Sequence, residues 1–147
     1  MATWRAGHRN VNELNEWQKA DEFSTLLHDV CRELDLGRDQ EWLIELLTQA
    51  GRLVREALQE GWSREYLAEF ILGICEALSF LGLVDYYLVF LRHEGYLTVE
   101  RADEVEARLS ELQEALSSLA GGLREALRSR PEDPLSSSPW SRNSSAR

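Results

Sequence analysis

A pair of metal-binding side chains is the first chemistry that the sequence suggests. His28 and Cys31 are three positions apart, so on a helix they share one face and could bind a metal ion together. Asp29 and Glu33 lie close by. Metal sites in proteins usually have three or four ligands, and no other segment carries the Glu-x-x-His pattern of di-iron helices. We therefore predict no metal, and we expect Cys31 to face the core beside a histidine at its boundary.

Nucleophilic and phosphate chemistry have no better support in the sequence. No serine stands in a Gly-x-Ser-x-Gly turn, and neither Cys31 nor Cys75 lies in a recognisable activating context. The glycine pair at 121–122 lacks the lysine that a phosphate-binding loop requires. His93 precedes a helix end, where a cation interacts favourably with the helix dipole, so its position is explained without catalysis. The sequence therefore predicts a protein that is not an enzyme and binds no cofactor.

Four amphipathic segments position these residues. Apolar residues recur in them at steps of three and four, which is typical of helices that bury one face. No proline occurs before residue 131, so long helices are permitted throughout this part. Glycines are predicted to end the first three helices at positions 37, 61 and 95, and Asp39, Ser63 and Thr98 to cap the next ones. The predicted helices span about residues 12–36, 39–60, 63–94 and 98–129.

These helices predict an all-α fold, an antiparallel up-down four-helix bundle, because short turns make successive helices run in opposite directions. A chain of 147 residues is long enough for one domain with a substantial core. The bundle would occupy residues 12–129, after a flexible N-terminus at 1–11. Residues 130–147 are rich in proline and serine and are predicted to form a disordered C-terminal tail.

Acidic residues dominate the middle of the chain. The formal net charge is -10, while residues 1–20 carry +1 and residues 128–147 carry +2, so residues 21–127 carry -13. Such a body repels phosphate backbones, which disfavours direct, non-specific binding of nucleic acid by the bundle. The N-terminus lacks an apolar signal core, and two cysteines are too few for a disulfide scaffold. We therefore expect a cytoplasmic protein with reduced thiols.

The segment from residue 77 to 91 is far more apolar than the rest, with Asp85 as its single charge. It could enter a membrane, form the central helix of the bundle, or be buried twice, against its own chain and against a second subunit. A membrane span needs roughly 20 apolar residues, and an aspartate at its centre costs about 3 kcal/mol. Because this run is shorter and contains Asp85, the sequence argues against the membrane.

Burial against a second subunit explains the segment best. One stripe of it suffices for the inner face of a bundle helix, and large apolar side chains remain on its other faces. Leaving each of these in water forgoes roughly 1.5–3 kcal/mol of burial, which is unusual for a monomer. A helix wedged deep among long neighbours is the alternative. The predicted oligomer interface comprises Phe80, Leu83, Tyr86, Tyr87, Val89 and Phe90.

Two kinds of charged residue complete the candidate sites. Asp85 is predicted to lie at a boundary or interface, where a hydrogen bond to its carboxylate would fix the register of the helix. Arg52, Arg55 and Arg64 surround the end of the second helix and are candidate contacts for nucleic acid or a protein partner. The alternative, which the spacing favours, is that they pair with nearby glutamates on solvated faces, each pair contributing about 0.3 kcal/mol.

Several short motifs are similar to a known family of small bacterial four-helix bundles. The opening stretch "ELNEWQKADEF" and five later elements match the family's motifs. The matching residues are Leu14, Trp17, Gln18-Lys19-Ala20, Glu60-Gly61, Glu69-Phe70, Ala77-Leu78-Ser79, Asp85 and Gly95-Tyr96-Leu97. Over about residues 11 to 128 the chain therefore resembles the proteins encoded in 23S ribosomal RNA intervening sequences, a family that includes the accessory variability determinant of diversity-generating retroelements.

This resemblance implies an assembly and two functions. Members of the family form ring-like homopentamers, and some bind nucleic acid and a reverse transcriptase through a basic surface. Here the family's basic stretch is reduced to Arg64, and its "SI..N" segment is replaced by residues 53–57. The resemblance thus implies a homo-oligomeric, pentameric scaffold or adaptor for protein or ribonucleoprotein partners. The alternative is a nucleic-acid-binding accessory factor of a retroelement that works with a reverse transcriptase.

Overall fold

The computed structural model describes residues 10–129. Within this range the chain is helical and contains no strand, which confirms the all-α four-helix bundle. The flexible N-terminus and the C-terminal tail predicted from the sequence lie outside the described residues, apart from 10 and 11. Four helices and two short 3-10 turns are present: α1 Asn15–Glu33, α2 Glu41–Ser63, α3 Leu67–His93 and α4 Val99–Arg128, with 3-10 turns at Val11–Glu13 and Arg38–Gln40.

Successive helices run antiparallel, and α4 returns to the side of α1. The Lys19 ammonium lies 2.8 Å from the Glu111 carboxylate, and Arg101 lies 2.7 Å from Glu33, so the start of α1 meets the middle of α4 and its end meets the start of α4. On the opposite side, Arg92 near the end of α3 donates a hydrogen bond to the Asp103 carboxylate in α4 at 2.9 Å. Each helix therefore has two neighbours.

The core lies along the axis of the bundle. Each helix contributes fully buried leucines or aromatic side chains, and each such burial stabilises the fold by about 1.5–3 kcal/mol. Val11 and Leu14, which precede α1, are also buried and close one end of the core. The largest fully buried side chains include Leu27, Leu43, Leu47, Leu58, Phe70, Ile74, Leu81, Leu88, Leu109 and Leu112.

Helices α2 and α3 make the closest contact, and two glycines permit it. A Cβ atom added at Gly73 would lie 2.9 Å from the carbonyl oxygen of Ala57 and 3.1 Å from the Cα of Gly61. The prediction that Gly61 ends the second helix is therefore wrong, because α2 continues through it and uses its missing side chain for packing. Ser63 is the last residue of α2 and does not cap α3.

The turn before α2 also differs from the predictions, whereas the turn before α4 agrees with them. Asp39 lies within the 3-10 turn and does not cap α2, whose N-cap is Gln40. Gly37 has a φ of -68°, so it supplies no left-handed turn, and α1 already ends at Glu33. Gly95, by contrast, has a φ of +77° and ends α3 as predicted. The Thr98 hydroxyl accepts a hydrogen bond from the backbone N–H of Arg101 at 3.1 Å, which confirms it as the cap of α4.

Candidate functional site: the outer face of the third helix

Helix α3 is apolar around its whole circumference. Its inner stripe follows steps of three and four along the core. The residues of this stripe are buried: Phe70, Ile74, Ala77, Leu81, Val84, Leu88 and Leu91. Its two neighbouring helices, α2 and α4, leave the opposite side of α3 uncovered, so the residues on that side face solvent in the single chain.

The opposite side carries a second series of uncharged residues at the same steps. We call this series the outer seam, and it comprises Leu72, Cys75, Ser79, Gly82, Tyr86 and Val89. Large side chains occupy its two ends, where Leu72, Tyr86 and Val89 are 62%, 70% and 56% exposed. Small residues occupy its middle, and a Cβ added at Gly82 would meet no atom within 4 Å. The seam is therefore an accessible apolar surface on a protein that is otherwise strongly acidic.

The six residues of the predicted interface fall into two groups. Leu83, Tyr86 and Val89 are exposed, whereas Phe80, Tyr87 and Phe90 are half-buried and pack against the core. The Tyr87 ring makes edge contacts with two other aromatic side chains. Its centroid lies 5.2 Å from that of Tyr86 and 5.9 Å from that of Trp42, which belongs to α2 and is itself exposed. Aromatic residues thus extend the surface from the outer seam towards α2.

Asp85 lies on the side of α3 that faces α4. Arg92, seven positions later and so on the same side of the helix, contacts Asp103 of α4. Asp85 is exposed and has no hydrogen bond or ion pair with any residue from 10 to 129. The hydrogen bond that was predicted to fix the register is therefore not made within the described part of the single chain.

The Cys75 thiol marks the α4 side at the other end of the seam. Its Sγ accepts a hydrogen bond from the Arg124 guanidinium of α4 at 3.2 Å. Within the described range, the Arg124 side chain contacts no carboxylate within 4 Å. Within residues 10–129, the outer seam is therefore bordered on its α4 side by an acid without an ion-pair partner and, nearly three turns of α3 away, by a cation without one.

The three arginines predicted as partner contacts do not form one surface. Arg52 and Arg55 line a polar groove between α1 and α2, whereas Arg64 lies in a different groove, between α2 and α3. Arg55 donates to the Asp21 carboxylate at 2.7 Å, and Arg64 donates to Glu60 at 2.7 Å. Arg52 lies 3.9 Å from Glu56, so two of the three arginines follow the predicted i, i+4 pairing.

The two candidate metal ligands in α1, His28 and Cys31, are also separated. Cys31 is buried, and burial raises the pKa of its thiol, while a hydrogen bond with Thr48 opposes this shift. His28 is exposed and lines the groove between α1 and α2. No group of three or more His, Cys, Asp or Glu side chains in the described range could hold a metal ion.

Helix α3 also meets the length and composition of a membrane span. Among the described helices it alone does so, and its mean hydropathy reaches 2.0 over the most apolar window. Half of that window is buried inside the bundle. A core helix with apolar residues on all sides has the same length and hydropathy as a membrane span. The high hydropathy of α3 therefore reflects its excess of apolar surface.

Some residues of the surface were missed by the sequence analysis. Leu72 and Trp42 are exposed large side chains that border the predicted interface, and Cys75 is hydrogen-bonded to Arg124 near the end of α4. The spacing of Leu72 relative to Tyr86 could have revealed the first of these, since fourteen positions correspond to four turns of a packed helix.

No protein-family model matches the chain, and no curated protein matches it either.

Proposed function

We propose that the protein is a non-enzymatic, homo-oligomeric scaffold or adaptor, and that copies of the chain associate through the outer seam of α3. The single observation that supports this function is the exposure of Leu72, Tyr86 and Val89 on one face of a helix that already buries its opposite face. Contiguous apolar surface of this kind usually marks an interaction site. Burying it between copies removes the surface from water and leaves the acidic faces free for partners.

The resemblance to the intervening-sequence proteins supports an assembly of this kind and implies five copies. Protein or ribonucleoprotein partners would then bind the outside of the assembly. A cytoplasmic location fits this function. The uncovered apolar face of α3, within residues 10–129, supports an assembly of more than one copy.

A direct test compares two valines of similar exposure. Val89 lies in the outer seam, whereas Val99 is the first residue of α4 and is 63% exposed outside the seam. We expect Val89→Lys to lower the mass of the assembly and Val99→Lys to leave it unchanged. Both variants add the same charge, so the comparison isolates position. Light scattering of the full chain at micromolar concentration gives the mass, with 16.9 kDa as the value of one copy.

The outcome that would refute this function is a wild-type chain that stays at the mass of one copy across that concentration range. Equal loss of mass in both lysine variants would show that charge, and not the seam, controls association. A fall in mass confined to Val89→Lys would support the proposal.

The second candidate is a nucleic-acid-binding accessory factor that works with a reverse transcriptase. The groove with Arg52 and Arg55 favours it, because hydroxyl groups of Ser24 and Thr48 line the same groove and could bind phosphate oxygens. The ion pair of Arg55 with Asp21 and the acidic body oppose it. A mobility-shift assay across salt concentrations separates the two functions, because phosphate contacts lose affinity steeply as salt is raised.

A further inference from the structure

The outer seam has a symmetric pattern of spacing. Its six residues are separated by three, four, three, four and three positions, so the spacing is the same when read from either end of α3. A second α3 placed antiparallel on the seam therefore has a seam residue opposite every seam residue. Leu72 then lies opposite Val89 of the partner subunit, and Cys75 opposite Tyr86 of the partner subunit.

Side-chain sizes favour this antiparallel arrangement over a parallel one. The largest side chain, Tyr86, meets the small Cys75 of the partner subunit, and the two smallest residues, Ser79 and Gly82, meet each other at the centre. In a parallel pair Tyr86 would oppose Tyr86 of the partner subunit, while Gly82 would oppose Gly82 and leave a gap. Close packing needs an even separation of the two helices, and small residues at their crossing point allow the backbones to approach.

Charge gives an independent reason for the same arrangement. Asp85 and Arg124 both border the seam on its α4 side, and neither has an ion-pair partner within the described range. A two-fold axis perpendicular to α3 brings the α4 sides of the two copies together. Asp85 then lies level with Glu76 of the partner subunit, which borders the groove towards α2 on the other flank of α3. On the α4 flank Asp85 is one position from the level of Cys75 of the partner subunit, to which the guanidinium is hydrogen-bonded.

In a parallel pair these charges would stay apart. Asp85 would lie level with Asp85 of the partner subunit, and the ten positions between residues 75 and 85 correspond to about 15 Å along the helix. The two-fold axis of a parallel pair runs along α3, so the α4 sides of the two copies would also lie on opposite flanks of the contact. Only the antiparallel pair offers each Asp85 a cation.

We propose that α3 pairs antiparallel with α3 of a second copy, with the crossing point between Ser79 and Gly82, and that Asp85 of each copy forms an ion pair with Arg124 of the partner subunit. This inference rests on the proposed self-association and adds its geometry. A two-fold contact joins the same patch of both copies and produces an even number of subunits. A pair has a mass of about 34 kDa, and a ring of five would be compatible only if two rings paired back to back.

Charge reversal tests the ion pair. In the full chain, Asp85→Arg and Arg124→Glu should each raise the dissociation constant of self-association roughly tenfold, because each places two like-charged contacts in the pair. The double variant Asp85→Arg/Arg124→Glu should return to within about threefold of the wild-type value, as expected for a restored exposed pair. Sedimentation velocity over a dilution series measures the constants, and circular dichroism shows that each variant is folded.

Disulfide trapping tests the register. The wild-type chain, which carries Cys75, and a Cys75→Ser/Tyr86→Cys chain are prepared separately, and Cys31 remains buried in both. An oxidised mixture of the two should give a cross-linked dimer, because the Cα atoms of facing positions must approach within about 7 Å for a disulfide. Either chain oxidised alone should give none, because in the antiparallel pair equal positions lie eleven residues, or about 17 Å, apart along the helix.

The outcomes separate this inference from the proposed function. A chain that assembles without charge rescue and without the mixed disulfide would refute the antiparallel pair and leave the scaffold function standing. Cross-linking of the Cys75→Ser/Tyr86→Cys chain alone would also refute it, in favour of a parallel contact. A wild-type chain that remains a single copy would refute both.

Discussion

The close contact between α2 and α3 makes Gly73→Ala the most informative stability variant. The added Cβ would lie 2.9 Å from the Ala57 carbonyl oxygen and 3.1 Å from the Gly61 Cα. Both are backbone atoms, so no side-chain rotation can relieve the contact and the two helices must separate. Overpacking of this kind costs about 1–3 kcal/mol, whereas alanine in place of glycine in a helix gains up to about 1 kcal/mol.

The matched control is Gly121→Ala in α4, where an added Cβ meets no atom within 4 Å. This variant keeps only the propensity gain and should raise the free energy of unfolding by about 0.5–1 kcal/mol. Gly73→Ala should therefore be less stable than Gly121→Ala by about 1–3 kcal/mol, the cost of overpacking alone. Urea unfolding followed by circular dichroism, at one protein concentration, measures both. Equal stability of the two alanine variants would show that α2 and α3 are not in close contact at Gly73.

Three further predictions concern the thiols, salt and pH. Cys31 should react with a maleimide much more slowly than Cys75, because burial raises the pKa of the Cys31 thiol. Cys75 should become protected from the maleimide as the protein concentration is raised, and mass spectrometry of labelled peptides measures both rates. A Cys75 labelling rate that does not depend on protein concentration would argue against the burial of Cys75 in the assembly. Self-association should become tighter between low and physiological salt, because salt screens the repulsion between copies that each carry a net charge of -10. Sedimentation at several salt concentrations measures the dissociation constant. A dissociation constant that rises steeply with salt would instead indicate that ion pairs dominate the contact. The hydrogen bond and charge of Lys19 lower the pKa of Glu111, so the contribution of this pair is present above the carboxyl's unfolded-state pKa and is lost as the pH falls through the lowered folded pKa. Glu111→Gln should therefore lower the melting temperature slightly at pH 7, and the difference from the wild-type chain should shrink as the pH is lowered into the acid range. A difference that does not shrink on acidification would contradict the assignment.

The sequence was sufficient to predict the four helices, because their apolar residues recur at helical steps and no proline interrupts them. The sequence pattern placed the end of the second helix wrongly at Gly61, because the role of this glycine depends on tertiary packing. Within one segment, the pattern does not distinguish a glycine that ends a helix from a glycine that allows another helix to approach. Only the position of Gly73 on the facing helix distinguishes them.

The candidate surface was predictable in part. The excess of apolar residues in α3 pointed to Tyr86 and Val89, both of which are exposed. The half-buried state of Phe80 depends on how far α2 covers the flank of α3, which a single-helix pattern does not encode. The neighbourhood of Asp85 and Arg124 was not predictable either, because it requires knowing that the end of α4 packs beside Cys75.

The order of the helices has a consequence for synthesis on the ribosome. The α2–α3 hairpin has a turn of only three residues, 64–66, so it can form as soon as both helices have emerged. The 35 residues from 94 to 128, which complete α4, take about 2–7 seconds to translate. Until α4 packs, the side of α3 that α4 covers and the outer seam are both uncovered on the nascent chain. A polysome would therefore hold neighbouring nascent chains with unprotected third helices, and pairing between them could begin before either chain is released.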